Sequence, residues 1–176
     1  MIWRHGRTAA PPVLRRAVRA VILDEDDRVL LCRFSSPHPA VPTGTEAVWA
    51  APGGGIQPGE LPLAALRREL HEETGLVLTD DPPHVWHQEV LGTATADGYD
   101  GLVNDYFLVR TLRFRARGAL SDEDLAAEHI SGMRWWRLED IVAHAGPDLF
   151  SPRNLATPLV ALIAGDLPAT PVVLGL

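Results

Sequence analysis

Two apolar runs, residues 18–23 and 28–33 of RAVRAVILDEDDRVLLCRF, flank a polar break at Asp24, Glu25, Asp26 and Asp27, which predicts a β-hairpin. Residues 35–47, SSPHPAVPTGTEA, follow neither the strand nor the helix period and read as a proline-rich loop, and VWA at 48–50 reads as a short strand. From Leu61 to Thr74 the pattern turns helical. With Glu69 as origin and steps of about 100° per residue, Leu66, Leu70 and Leu63 fall near +60°, +100° and +120°, and Glu72 and Glu73 near −60° and +40°. Such a helix buries its leucines against a sheet and leaves its acids along the border of that face. Pro62 suits the first turn, and Gly75 is a natural stop.

Farther along, TDDPP (79–83) reads as a turn, and 84–96 and 102–116 read as strands joined by the loop DGYDG at 97–101. Residues 117–132 predict a loop with a short helix at 121–128, 133–136 a strand and 138–145 a helix. A last helix is expected over 153–164, with Ser151 as its cap and Pro152 at its start. This order predicts one layered α/β domain with a mixed sheet over residues 16–165. A lead-in at 1–15 precedes it, and a tail at 166–176 follows, whose apolar PATPVVLGL suggests packing on the domain or on a partner.

Composition narrows the class. The 176 residues carry a formal charge of −7, which argues against a general surface for polymeric nucleic acid or anionic membrane. No stretch approaches the roughly 18 uninterrupted apolar residues of a membrane span, and no leader of secretory type is evident. Cys32 is the single cysteine, lies in the apolar run VLLCRF and reads as a buried structural thiol. A reducing, cytoplasmic compartment is the expectation. The lead-in and the 35–47 loop leave a homodimer contact open.

The chemistry is concentrated in PGGGIQPGELPLAALRRELHEETGL, residues 52–76. Glu69, Glu72 and Glu73 repel one another at helical spacing. A bound hard cation would offset that cost, magnesium fitting best and manganese second. Such an ion polarises phosphoryl oxygens and lowers the pKa of an attacking water. Arg68 is placed to orient a carboxylate or to touch phosphate, and Glu60 lies at the helix start. Read on composition alone, the same stretch also fits an acidic, solvent-facing helix after an ordinary glycine turn.

The run resembles the Nudix box, a glycine followed by spaced glutamate, arginine-glutamate, aliphatic, paired glutamates, glycine and aliphatic. The matching residues are Gly54, Glu60, Arg68, Glu69, Leu70, Glu72, Glu73, Gly75 and Leu76, preceded by Trp49, Pro52 and Gly53. The resemblance implies a Nudix-type α/β/α sandwich. It also implies a magnesium- or manganese-dependent hydrolase that cleaves a nucleoside diphosphate linked to another group. Carried over by position, Glu72 and Glu73 are metal ligands, Glu69 is a ligand or the general base, and the backbone carbonyl at Gly53 or Gly54 supplies another oxygen. Glu60 and Arg68 form a supporting ion pair. Some members recruit a distant acid; here Glu128 is the candidate, with Asp122, Glu123 and Asp124 as rivals and a solvated loop acid as the plain alternative.

Candidate nucleotide contacts are Trp86, Tyr99, Asn104, Tyr106, Phe107 and Trp135 for the base and Arg33, Arg110 and Arg113 for phosphate, against core or surface roles for each. Alternation places Asn104, Tyr106 and Leu108 on one strand face and Asp105 and Phe107 on the other. His84 and His87 form no zinc pattern with any cysteine, and His71 occupies an unspecified box position. Signals of three subfamilies are missing: an SQPWPFP-like run, a proline some fifteen residues after the box, where Leu91 and Gly92 stand, and a tyrosine there. A catalytically silent nucleotide-binding protein is the alternative function. An isoprenyl diphosphate isomerase relative would require a loop cysteine, which Cys32 does not provide.

Overall fold

The computed structural model describes residues 10–35, 41–92 and 98–175. The chain runs through β1 (Leu14–Leu23), β2 (Val29–Phe34), β3 (Val48–Ala50), α1 (Pro62–Thr74), β4 (His84–Leu91) and β5 (Gly101–Arg110). It continues through α2 (Asp122–Ala127), β6 (Ile130–Trp136), α3 (Leu138–Val142), β7 (Leu149–Ser151), α4 (Ala156–Ile163) and β8 (Val172–Leu174). The strands form one mixed sheet in the order β7-β3-β2-β1-β5-β4-β8, with β6 added beside β2.

The polar break turns the first hairpin through one buried carboxylate. Asp24 Oδ1 accepts the backbone N–H groups of Asp26 at 2.9 Å and Arg28 at 2.8 Å, an Asx-type closure. β1 begins at Leu14, earlier than the expected 18, because its whole length pairs in parallel with β5, from Leu14↔Gly101 to Leu23↔Arg110. Along its other edge β1 pairs with β2 only at Leu23↔Val29. The glycine loop takes over from there. Val18 N–H donates to Gly54 O, Ala20 N–H to Pro52 O and Ile56 N–H to Arg16 O, so residues 52–56 are held against β1 as an irregular strand.

Alternation along β1 and β5 divides the core into two layers. Val18, Ala20, Ile22, Phe107 and Val109 face α1 and meet Ala65, Leu66 and Leu70. Val21, Leu23, Tyr106 and Leu108 face the other way, against Leu155, Leu159 and Leu162 around α4 and Ile141 of α3. This is the α/β/α sandwich expected. At roughly 1.5–3 kcal/mol per fully buried aliphatic side chain, the fully buried Leu66 and Leu70 fix which face of α1 is inward. The helix starts with Pro62 in its first turn and stops at Gly75, which adopts φ 80° and donates its N–H to His71 O.

Four sequence expectations are corrected. The strand over 102–116 ends at Arg110, and 111–119 is irregular because it leaves the sheet to wrap the end of α1. Here Arg117 N–H donates to Thr74 O, Ala119 N–H to His71 O and Leu120 N–H to Glu72 O. The strand expected at 133–136 begins at Ile130, extended by pairing with Phe34 and Arg33 of β2. Ser151 is no helix cap. It ends β7, whose parallel pairing with β3 keeps the backbone extended, and α4 starts after Leu155. The α3 helix is shorter than 138–145, ending at Val142. The closing apolar segment packs on the sheet itself: β8 covers the outer edge of β4. The short α2 carries a full capping box, with Ser121 and Asp124 bonding each other's backbone N–H.

Candidate active site

Gly53 and Gly54 bring the glycine loop against the acidic border of α1. Gly53, at φ 128°, donates its N–H to Glu73 Oε2 at 2.8 Å. A Cβ at Gly54 would lie 2.6 Å from the Glu69 carboxylate, so the missing side chain is the space that carboxylate occupies. Burial pushes the Glu73 carboxyl up to about 7; Arg19 and the Gly53 N–H oppose the rise, and the charges of Glu69 and Glu128 add to it. Burial also raises Glu69, against the pull of Arg68. Glu72 is the most exposed of the three, at 37% of its side chain.

Arg68 ties the cluster together. Its Nε and Nη2 each donate to one oxygen of Glu60 at 2.9 Å, and its Nη1 donates to Glu69 Oε1 at 2.6 Å and Glu72 Oε2 at 3.3 Å. Nη2 also reaches Gly55 O at 3.1 Å. Glu60 in turn accepts the Gln57 N–H. The hydrogen bonds from Arg68, helped by that N–H, hold the Glu60 carboxyl down at about 2. One guanidinium therefore links loop, helix start and two of the three acids in a single network.

Arg19 is the residue that sequence reasoning missed. It projects from β1, and its Nη1 donates to Gly53 O at 2.5 Å and Ala51 O at 3.3 Å, placing a cation beside Glu73 and Glu69. The available signal was a charged residue inside the otherwise apolar run AVRAVIL. Gly54 O accepts the Val18 N–H, so one of the two lone pairs of this candidate ligand is already engaged.

Two of the rival loop acids are engaged elsewhere. Asp124 closes the α2 capping box, and Asp122 pairs with Arg117 at 2.7 Å. Glu123 and Glu128 are both exposed, and among the described residues neither carboxylate has such a partner; Glu128, at the end of α2, lies close enough to Glu73 for its charge to act there. Cys32 is buried, and burial pushes its thiol up, which keeps it an inert structural group.

The candidate nucleotide contacts divide. Arg33 forks onto Asp148, at 3.1 and 3.2 Å, and the Trp49 indole N–H donates to the same carboxylate. Asn104 and the buried Tyr106 both donate to Gln88 Oε1, at 3.1 and 3.2 Å, on the α4 side of the sheet. Arg110 binds Asp27 and Leu162 O, and Trp86 and Phe107 are core. Tyr99 is half-exposed before β5. Arg113 and Trp135, by contrast, come together. They line one open cleft of about 510 Å³ with Phe114, Arg115 and Met133, and the Trp135 indole donates to Phe114 O.

The family model described as NUDIX domain matches residues 13–155. The chain belongs to the Nudix family. As a Nudix hydrolase it is similar to the nucleoside triphosphatase NudI of Escherichia coli O81 (strain ED1a), at 29% identity over 130 residues, 73% of this chain and 86% of that protein. Its fold matches that of the MutT protein from Methanosarcina mazei Go1, with a TM-score of 0.61, 19% identity and coverage of 90% and 99% of the two chains. It also matches the NUDIX domain of Shewanella oneidensis NrtR, solved with ADP ribose, with a TM-score of 0.54, 22% identity and coverage of 78% and 81%. Members of the Nudix family generally use a divalent metal. No helix among the described residues is long and apolar enough to cross a membrane.

Proposed function

We propose that this Nudix hydrolase cleaves a phosphoanhydride of a nucleoside triphosphate or a related nucleoside diphosphate derivative, with magnesium or manganese held by Glu69, Glu72 and Glu73. The observation that carries the reading is that Glu73 and Glu69 both meet the Gly53–Gly54 turn, while Arg68 bridges Glu69 to Glu72. The donor set fits a hard divalent ion: it is all oxygen, and the glycine cradle leaves the Glu69 carboxylate room. A bound ion supplies Lewis acidity at the phosphoryl oxygens and a water acidified for attack.

The chain's own residues do the rest. Arg68 fixes the rotamers of Glu69 and Glu72, and the Glu60 fork fixes Arg68, so the carboxylates are pre-organised rather than recruited on binding. Arg19 and the Gly53 N–H hold Glu73 in a water-poor position. Glu69 is a ligand or the base that takes the water's proton, and Glu128 is the further acid that joins from α2. The cleft between Arg113, Arg115, Phe114 and Trp135 seats the nucleotide, aromatic faces against the base and guanidinium groups against phosphate. Its wall runs on directly into the segment that caps α1. Similarity to a nucleoside triphosphatase supports the triphosphate class.

The test is release of pyrophosphate, phosphate or monophosphate from a panel of nucleotides with magnesium, manganese or chelator, for the native chain and Glu72→Gln. Turnover that disappears with chelator and in the variant is the expected result. Nucleotide binding without turnover under every metal would instead favour the silent-protein alternative.

A further inference from the structure

On the face of the sheet that α1 covers, three further side chains converge, on β4 and β5. His87 Nδ1 lies 2.8 Å and His84 Nε2 3.2 Å from Asp105 Oδ1, and the three ligand atoms fall within 4.8 Å of one another. We propose that His84, His87 and Asp105 form a second metal site, for a borderline transition ion with zinc the best fit, independent of the hard-cation site of the box.

The backbone builds this cluster by a local irregularity. His87 and Asp105 are directly opposed across the β4–β5 ladder and share a face. His84 is three residues from His87, and in a regular strand it would point to the opposite face. The ladder slips between His84 and Trp86: Trp86 pairs with Tyr106 and His84 with Phe107, leaving Val85 as an extra residue. That bulge turns His84 onto the face of His87 and Asp105. The His84 ring then stacks on Phe107, centroids 5.0 Å apart, which fixes its plane.

The chemistry suits a different ion from that of the box. Two imidazoles and one carboxylate select zinc and its neighbours over magnesium, which prefers oxygen and retained water. Ligand atoms about 2.1 Å from a tetrahedral ion stand about 3.4 Å apart, so admitting the ion requires the His87–Asp105 and His84–Asp105 separations to open by about 0.6 and about 0.2 Å. Asp105 is nearly buried, at 10% side-chain exposure, and among the described residues its ion-pair partners are the two histidines and the exposed Arg16. Arg16 Nη2 approaches Oδ2 at 3.5 Å, leaving Oδ1 as the ligand atom and serving as a support for the carboxylate from behind. His84 Nε2 also faces Trp86 O at 3.0 Å, a contact the ion would replace. Both histidines are one-third exposed, which gives an ion a path in.

The test uses the full chain, stripped with chelator and held in excess magnesium so that the box is occupied. Titration with zinc, followed by calorimetry, and with cobalt, followed by visible absorption, should show one equivalent bound. His87→Ala and Asp105→Asn should each weaken zinc at least about tenfold, whereas Glu72→Gln should bind as the native chain does. Circular dichroism confirms that each variant is folded. As a check independent of substitution, zinc should shift two histidine imidazole resonances of the native protein, with the same two lost in His84→Ala and His87→Ala. A native chain that binds no zinc at a hundredfold excess over protein, or variants that bind it unchanged, overturns the proposal and leaves a hydrogen-bonded histidine–aspartate cluster. Neither outcome touches the hydrolase reading, whose test is turnover.

Discussion

The backbone N–H of Gly53 donates to Glu73 Oε2 at 2.8 Å, joining the glycine turn to the last turn of α1. Gly53 holds φ 128°, and a Cβ there would overlap the Val18 carbonyl oxygen. Gly53→Ala must therefore move the loop off β1 or lose the bond to Glu73. We expect a loss of at least about 2 kcal/mol of stability, read by urea unfolding, together with at least a tenfold drop in turnover. Native stability with native turnover would contradict the role given to this contact.

Arg68 serves four acceptor groups from a planar fork, and a lysine ammonium cannot reproduce that geometry. Arg68→Lys should keep the charge and still lower kcat/KM by about 10- to 100-fold. Steady-state kinetics at saturating metal checks this. A variant within twofold of native would show that the acids hold their positions unaided.

The Glu60–Arg68 pair gives a pH signature whose direction is fixed. The folded Glu60 carboxyl, at about 2, lies below its ordinary value of 4.5. A depressed carboxylate contributes stability that is fully present above the unfolded value and is lost as pH falls toward the folded one. The stability gap between the native chain and Glu60→Gln should thus be constant from pH 7 down to about 4.5 and narrow from there toward pH 2. Chemical denaturation across that range measures it, and a gap that widens on acidification would reverse the assignment.

Gly118 sits where the 117–120 segment crosses the end of α1, and a Cβ there would overlap the Glu72 carbonyl. Gly118→Ala should cost about 1–3 kcal/mol and reduce activity as well, because the displaced carbonyl belongs to one of the acids of the site. Thermal unfolding and turnover read the two effects. Gly98→Ala, where nothing lies within 4 Å, is not a neutral control, since its φ of 83° is strained by any side chain; Gly132→Ala is the better one.

The parts of the molecule governed by local rules were readable from the chain. The 61–74 helix followed from its leucine spacing, Pro62 and Gly75, and the first hairpin from the acids at 24–27. The Glu60–Arg68 pair was implied by the resemblance to the Nudix box, and it forms as a two-bond fork. What escaped depends on pairing between distant segments. Residues 111–119 carry an apolar alternation suited to a strand, yet they answer the open carbonyls of α1. Ser151 and Pro152 have the residue types of a helix start, but β3 claims Ser151 for the sheet and the helix begins only after Leu155. Arg19 takes its role from the glycine loop that the fold lays beside β1. His84 and His87 gave no pattern because their third member, Asp105, comes from another strand and the bulge that aligns them is invisible in spacing.

The last turn of α1 carries two of the acids, and its carbonyl ends are met by amides from beyond β5. A chain cut before residue 117 would contain every letter of the motif and still have a frayed helix end. The acidic pocket thus depends on a stretch well outside the motif, and a change in that crossing segment reaches the ion through the backbone rather than through any ligand.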